Sequence, residues 1–484
     1  METGLSIEAE PAYDNDVRLQ RSAALLALAF SAAAANASPP QGYPPTAASF
    51  AAVVERLILP FLSSDGPSAV SIAVVRNGET LASGGWGLAD RKSKTPATAE
   101  TVYRVGSVTK QFTAAAILRL IERKRLVLTD AIGKHLADLP PAWRDVTIEQ
   151  LLNHTSGIPD FTEIGGRWSR HWDEAMPPAR LLALVAKDSM TFAPGRDWHY
   201  SNTGYVVLAM LIEKIDGRSY GEVIEAEFSR PLGLTRTRVC EDAAGANGQA
   251  VGYQRDGSSF DVAGYRHVSH WFGGGGLCST AVDLAAWNRA LHGGRVLIPE
   301  TLAMMTTPMG AAAAHGYGFG VMSRVISGHR EISHGGQYSG FASVNAWYPD
   351  DSVSVTVLTN TAPMPTREIL ARNLALAALN APLTISAPIE GPQPNRTTLK
   401  MYAGEYTIQV PGRSGLALRI WVDGGTLRAQ AARQRELTLH ATGPHTFGTG
   451  VDPSIQFIFS VNNGVVTGLT FEQAGRMFET VKRK

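Results

Sequence analysis

An α/β (α+β) fold is what this 484-residue sequence predicts: an antiparallel sheet flanked by helices with a helical insertion, then a small all-β, barrel-like domain. Three observations predict it. Strand pairs stand on either side of a loop-rich helical section. A Pro-rich break from Pro382 to Pro394 follows the second pair. Beyond the break, short apolar strands alternate with Gly-containing turns, the pattern of an all-β unit. A chain this long exceeds one ordinary domain and can bury a large core.

The N-terminal residues read as a targeting segment. Ala23 to Ala35 is apolar but too short to span a bilayer, and it follows Arg18 and Arg21. It closes at Ala35-Asn36-Ala37 before Ser38, the form of a secretory signal peptide with an A-x-A cleavage site. Residues 1–16 hold five acids and no base where a cationic region is expected, so Val17 is the expected translation start. The expected organisation is therefore a signal peptide over 1–37, a catalytic-sized domain over 38–380, a linker over 381–399 and a β-rich domain over 400–484. The expected location is exported, periplasmic or secreted. After cleavage no apolar run is long enough for a membrane span. Lys and Arg total 44 against 43 Asp and Glu, which carries no polybasic signature and suggests no nucleic-acid partner.

Val70 to Val75 and Glu79 to Ser83 flank Arg76-Asn77-Gly78, a hairpin signal with Asn-Gly at the turn. From Phe112 to Ile121 a helix is apolar nearly all round, which predicts burial. Leu126 to Arg238 reads as mostly helical and loop-rich, with an apolar helix from Tyr205 to about Ile215. Phe341 to Tyr348 and Ser352 to Leu358 form a second strand pair across Pro349-Asp350-Asp351, and Thr366 to Leu379 reads as a closing helix. In the last segment, Leu416 to Val422 pairs with Thr426 to Gln430, and Ile455 to Val461 with Val465 to Phe471.

Chemistry concentrates in three short stretches. Ser107-Val108-Thr109-Lys110 puts a hydroxyl and an amine one helical turn apart, on one face. A neutral lysine can take the proton that keeps serine a poor nucleophile. The helix N-terminus is expected to lower the Lys110 pKa, and its N–H groups can hold an oxyanion. Tyr200-Ser201-Asn202 offers a phenol that can relay protons and an amide that can orient the lysine or hold a substrate carbonyl. His334-Gly335-Gly336 stands before the Phe341 strand, with small residues that let a substrate lie against an edge.

In this order, S-x-x-K, Y-x-N and H-x-G resemble the serine hydrolases related to class C β-lactamases and penicillin-binding proteins. Tyr103-Arg104-Val105-Gly106 before the serine, Leu151 to Ile158 (LLNHTSGI), and Gly275 to Thr280 with Asp283 strengthen the likeness, which covers roughly Ser49 to Ala377. The resemblance implies a β-lactamase/transpeptidase-like fold. It implies an acyl-enzyme on Ser107, with Lys110 and Tyr200 sharing the proton transfers. Asn202, His334, Gly335 and Gly336 would bind substrate, and the backbone N–H groups of Ser107 and Gln337 would form the oxyanion hole. No cofactor or metal is expected. The C-terminal segment is similar to the lipocalin-like domain appended to some members.

One departure from the family pattern bears on substrate. Many relatives carry Lys-Thr/Ser-Gly where this chain has His334-Gly335-Gly336, and histidine is only partly charged near neutral pH. A substrate carboxylate would be gripped less firmly, so the expected substrate is a small ester, amide or D-amino-acid peptide. A β-lactamase or D-Ala-D-Ala carboxypeptidase is one alternative; a non-catalytic peptidoglycan- or peptide-binding sensor is another. The sequence leaves the oligomeric state open. Other features read as structural: His154 as a hydrogen-bonded core residue, Ser279 or Thr280 with Asp283 as a helix cap, and His267 with His270 as lacking a third metal ligand. Cys240 and Cys278 are the two cysteines; export would permit a bridge between them, but the expectation is an unbridged pair with Cys278 a small buried residue.

Overall fold

The computed structural model describes residues 47–62, 66–241, 248–256, 259–364, 366–381, 383 and 396–482, the last without 410–414, 424, 433–435, 444, 450–454, 463 and 474–475. The signal peptide, the Val17 start and most of the Pro-rich segment lie outside these residues. Two compact units divide between Ala381 and Pro382.

The first unit is built on a seven-stranded antiparallel sheet. Its strands are β1 (Ala69–Arg76), β2 (Glu79–Asp90), β3 (Thr95–Pro96), β4 (Met322–Ile326), β5 (His329–Tyr338), β6 (Phe341–Tyr348) and β7 (Val353–Thr359). They lie in the order β3-β2-β1-β7-β6-β5-β4, so the two sequence-distant strand pairs meet where β1 pairs with β7, from Val70↔Thr359 to Arg76↔Val353. Both central strands are rich in Val and almost wholly buried, as strands covered on both faces must be. Asn77 and Gly78 both take positive φ, the conformation a two-residue hairpin needs.

Helices cover both faces. α1 (Ala47–Phe61) and the closing α5 (Thr366–Ala378) pack together; α4 (Ala281–His292) packs on β1 and β7. Asn288 of α4 donates to Asn345 Oδ1 and Ser354 Oγ, both at 2.9 Å, pinning the helix to the sheet. Of the two cap candidates, Ser279 and Thr280, it is Thr280 that caps α4, accepting from the Asp283 N–H at 3.1 Å. Beyond α4 lies α2 (Thr109–Glu122), buried from Thr109 through Leu118, with Phe112 stacked on Trp287 at 3.8 Å. α3 (Asn202–Asp216) begins at the Y-x-N stretch, capped by Ser201, and ends at Gly217 in the left-handed region.

His334-Gly335-Gly336 stands ahead of the strand β6, as expected, and itself lies inside β5, since the turn falls at Ser339-Gly340. One expectation is corrected: Cys240 and Cys278 are joined by a disulfide. Their sequence separation hid a direct neighbourhood: Arg238–Val239 and Tyr103–Arg104 flank Leu277–Ser279 in a small three-stranded sheet.

The second unit is a closed eight-stranded antiparallel barrel: β8 (Gly404–Ile408), β9 (Leu416–Asp423), β10 (Thr426–Ala431), β11 (Leu437–Gly443), β12 (Thr446–Thr449), β13 (Ile455–Asn462), β14 (Val465–Gln473) and β15 (Arg476–Lys482). Aromatic side chains fill its interior; the Tyr402 ring lies 4.8 Å from Phe447 and 4.7 Å from Phe459. Eight strands give a bore that side chains can fill. Among the described residues no helix is long and apolar enough to cross a membrane.

Candidate active site

Ser107 sits in a single 3₁₀ turn, Gly106–Val108, that leads directly into α2. Lys110, in the first turn of α2, is fully buried, and its Nζ lies 3.2 Å from Ser107 Oγ. It also donates to Asn202 Oδ1 and to the Gly274 carbonyl, both at 2.7 Å. Those two partners can only accept. A neutral amine has two hydrogens, so both are committed there and its lone pair is left for the serine proton. Burial holds the Lys110 pKa down at about 7, against the opposing charge of Asp160. The sequence reading gave the helix N-terminus that part; the larger cause is desolvation.

The turn is clamped against β5. Gly106 has φ +50°, and a Cβ there would fall 2.7 Å from the Gln337 nitrogen. At Gly336 a Cβ would fall 2.0 Å from the Val105 carbonyl oxygen. Only glycine at both positions lets the serine turn lie flush on the strand. β4 pairs with β5 only as far as Ser333↔Met322, leaving the β5 edge beyond His334 without a strand neighbour. Tyr338 and Phe341 close a two-residue hairpin. Backbone direction alternates along a strand, so Gln337 points its N–H toward that open edge, beside Ser107. Gly335 differs from Gly336: its Cβ direction runs toward Glu368 Oε1, at 3.5 Å, on α5.

Tyr200 and Asn202 reach the lysine from the start of α3. The Lys110 Nζ stands 4.7 Å from the Tyr200 ring centroid and 5.3 Å from that of Tyr205. The LLNHTSGI stretch cradles this segment. His154 Nδ1 accepts from the Ser201 N–H at 3.1 Å, and its ring lies 4.3 Å from the Tyr200 ring. Burial pushes the His154 pKa well down, so the ring is neutral.

His334 is also neutral. Its Nδ1–H donates to the Gly335 carbonyl, so Nε2 accepts from the Tyr317 hydroxyl at 3.0 Å. Burial, aided by the Lys110 charge, lowers its pKa to about 3. The partial charge expected from sequence is thus absent at neutral pH.

Ser107, Lys110, Tyr200, Asn202, His334, Gly336 and Gln337 are brought together around the serine turn. Tyr317, Asp160 and the Gly274 carbonyl join them without having been singled out in the sequence. The run Gly273–Gly276 was a visible signal for the last, since glycines permit close backbone approach; Tyr317 and Asp160 had no such mark. His267 and His270 stand in local hydrogen bonds, His270 accepting from Trp168 Nε1 and donating to the Glu174 carbonyl, both at 2.8 Å.

A family model described as Beta-lactamase matches residues 54–379. A D-aminopeptidase of Brucella anthropi is 30% identical over 306 residues, covering 61% of this chain and 56% of the relative. The D-aminopeptidase of Brucella ovis is 28% identical over 422 residues, covering 85% and 74%. Among solved structures, a D-stereospecific amidohydrolase from Streptomyces sp. is 29% identical with a TM-score of 0.56, covering 65% of this chain and 94% of that one. The octameric penicillin-binding protein homologue from Pyrococcus abyssi shares the fold at 23% identity and a TM-score of 0.65, over 89% and 100% of the two chains.

Proposed function

This chain belongs to the beta-lactamase family, a family of hydrolases, and from that premise we propose that it is a serine hydrolase working through an acyl-enzyme on Ser107. The observation that carries the reading is the Lys110 amine. It is fully buried, has a pKa near 7, and is held by two acceptors so that its free electron pair faces Ser107 Oγ. Neutral Lys110 takes the Ser107 proton as Oγ attacks the substrate carbonyl. The N–H groups of Ser107 and Gln337 hold the oxyanion, a contribution typically worth about 10²–10³ in rate per donor. Lys110, with the Tyr200 phenol beside it, returns the proton to the leaving group. Water then attacks the ester by the same route, with general-base help of about 10²–10⁴.

The substrate we propose is a small amide or ester, with D-amino-acid amides and peptides foremost. Similarity to D-aminopeptidases and to a D-stereospecific amidohydrolase supports the acyl part. The neutral His334 supports the leaving part: it offers no cation to a terminal carboxylate, so β-lactams and D-Ala-D-Ala peptides bind weakly. Export to the periplasm or medium belongs to the same proposal. The Cys240–Cys278 bridge supports it, because cytosolic thiols stay reduced.

The test is a panel of p-nitrophenyl butyrate, D-Ala-p-nitroanilide and nitrocefin, run on wild type and Ser107→Ala, with intact mass recorded for acyl adducts. Turnover of the ester or anilide that vanishes in the variant is the expected result. Nitrocefin as the preferred substrate would overturn the substrate assignment, and turnover that survives in Ser107→Ala would overturn the mechanism.

A further inference from the structure

We propose that Asp160 is a positioning residue for this site: through the Asn202 amide it fixes the orientation of Lys110 and sets the pH at which that amine becomes a base. The inference rests on the Ser107–Lys110 reading above.

Asp160 closes the buried stretch that begins at Leu151 and is itself 2% exposed. One carboxylate oxygen accepts from the Asn202 backbone N–H and from Asn202 Nδ2 at 3.0 Å. The other accepts from the Thr162 N–H at 2.7 Å and the Thr162 hydroxyl at 2.6 Å. All four partners can donate, and three of them, the two N–H groups of the backbone and the Asn202 amide, can only donate, a set that suits an ionised carboxylate. Asn202 also opens α3, so the anion meets the positive end of that helix. Burial raises the carboxyl pKa above the ordinary carboxylate range, and the Thr162 and Asn202 donors pull it only part of the way back.

Two consequences reach Lys110. An asparagine amide can sit either way round. With Nδ2 committed to Asp160, only Oδ1 is left to face the Lys110 Nζ, at 2.7 Å. A flipped amide would set its NH₂ against the amine and its oxygen against the carboxylate. The second consequence is electrostatic. The groups around Lys110 are Ser107, the Tyr200 and Tyr205 rings, and the histidines 154 and 334, both neutral. Asp160 supplies the charge that favours protonated Lys110 against desolvation. Remove it, and burial alone drives the amine further down.

The experiment uses the full chain. The pH dependence of kcat/KM on the best panel substrate is compared for wild type and Asp160→Asn. In parallel, the ¹³Cε signal of Lys110 is titrated in a Ser107→Ala background, with and without Asp160→Asn. The expected result is a lower plateau and an acid limb displaced downward by about one and a half to two pH units, the effect of a unit charge one amide away at an effective dielectric near 20. The NMR midpoint should move with it. A purely structural role would lower the plateau and leave both midpoints in place, and that outcome in a folded variant overturns the proposal. If Asp160→Asn does not fold, Asp160→Ser, which removes the charge and keeps a hydroxyl for the Asn202 and Thr162 donors, takes its place. It should move the midpoint the same way, and an unmoved midpoint again overturns the proposal. Turnover persisting in Ser107→Ala would instead strike the underlying mechanism, which the NMR midpoint does not depend on.

Discussion

Replacing Gly336 by alanine should disable the protein, while the same change at Gly335 should pass almost unnoticed. At Gly336 the added Cβ would sit 2.0 Å from the Val105 carbonyl oxygen and 2.4 Å from Ser343 Oγ. Carbon and carbonyl oxygen normally approach to about 3.3 Å, so the Val105 carbonyl must retreat by roughly 1 Å. That carbonyl is no free end: it accepts from Ser343 Oγ at 2.8 Å and belongs to the segment that carries Ser107 two residues later. The retreat lifts the serine turn off the Gln337 edge, and a misplacement of about 1 Å typically costs about 10²-fold in rate. Overpacking should cost about 1–3 kcal/mol of stability as well. At Gly335 the nearest atoms to a Cβ stand at 3.5 and 3.7 Å, ordinary contacts. Steady-state kcat/KM on an ester substrate, with thermal melting beside it, reads both effects. Gly336→Ala within threefold of wild type, or Gly335→Ala equally impaired, would refute the packing argument.

Three further expectations follow from the site and its frame. Lys110→Met should lose turnover by about 10³-fold, and wild-type kcat/KM should climb with pH through about 7 as Lys110 deprotonates. Because the Lys110 pKa is lower folded than unfolded, the unfolded chain binds more protons between the two values, so wild-type stability rises with pH across that window. Melting temperatures should show Lys110→Met more stable near pH 7, with the gap closing toward pH 10. Cys240→Ser with Cys278→Ser opens a loop of 38 residues, worth about 4 kcal/mol in the chain-entropy account; a lower melting temperature with activity kept at 25 °C is expected. His334→Lys should raise nitrocefin turnover relative to ester turnover at least about tenfold, a factor equal to roughly 1.4 kcal/mol of added carboxylate grip, and an unchanged ratio would show that the cation is not what selects substrate.

Much of this arrangement could be read from sequence because its parts are local. Ser107 and Lys110 are one helical turn apart, and Tyr200 and Asn202 share a helix start, so short spacing announces them. The two strand pairs and the barrel hairpins carry their own turn residues, as Asn77-Gly78 does. What escaped is tertiary. The Gly274 carbonyl that holds Lys110 lies 164 residues away in sequence, and a carbonyl leaves no mark in a side-chain pattern. Asp160, two residues beyond LLNHTSGI, carries no mark in the sequence; folding sets it against Asn202. Nothing in the pair Gly335-Gly336 distinguishes the two glycines in sequence; folding shows that Gly336 exists for a close approach to the Val105 carbonyl inside a strand. The charge of His334 and the cause of the Lys110 shift both depend on burial, which composition cannot supply for a single residue.

A lysine is an expensive residue to bury, since an unpaired ammonium in the interior costs several kcal/mol or gives up its proton. Here giving up the proton is the useful outcome, provided it does not go too far. An amine with too low a pKa is a poor acceptor for the serine proton; one with too high a pKa is already protonated at neutral pH. Desolvation alone pushes one way, and the neutral histidines 154 and 334 do nothing to resist it. The carboxylate of Asp160 resists it from behind an amide, far enough not to form a direct ion pair that would lock the lysine charged. The three acceptors around Nζ then suit both states. With a proton the ammonium has three partners, Ser107, Asn202 and Gly274; without it, two hydrogens stay where they were and the third direction opens to Ser107. Proton transfer therefore needs no rearrangement of the cage, which is the electrostatic preorganisation that lowers a barrier instead of merely binding substrate.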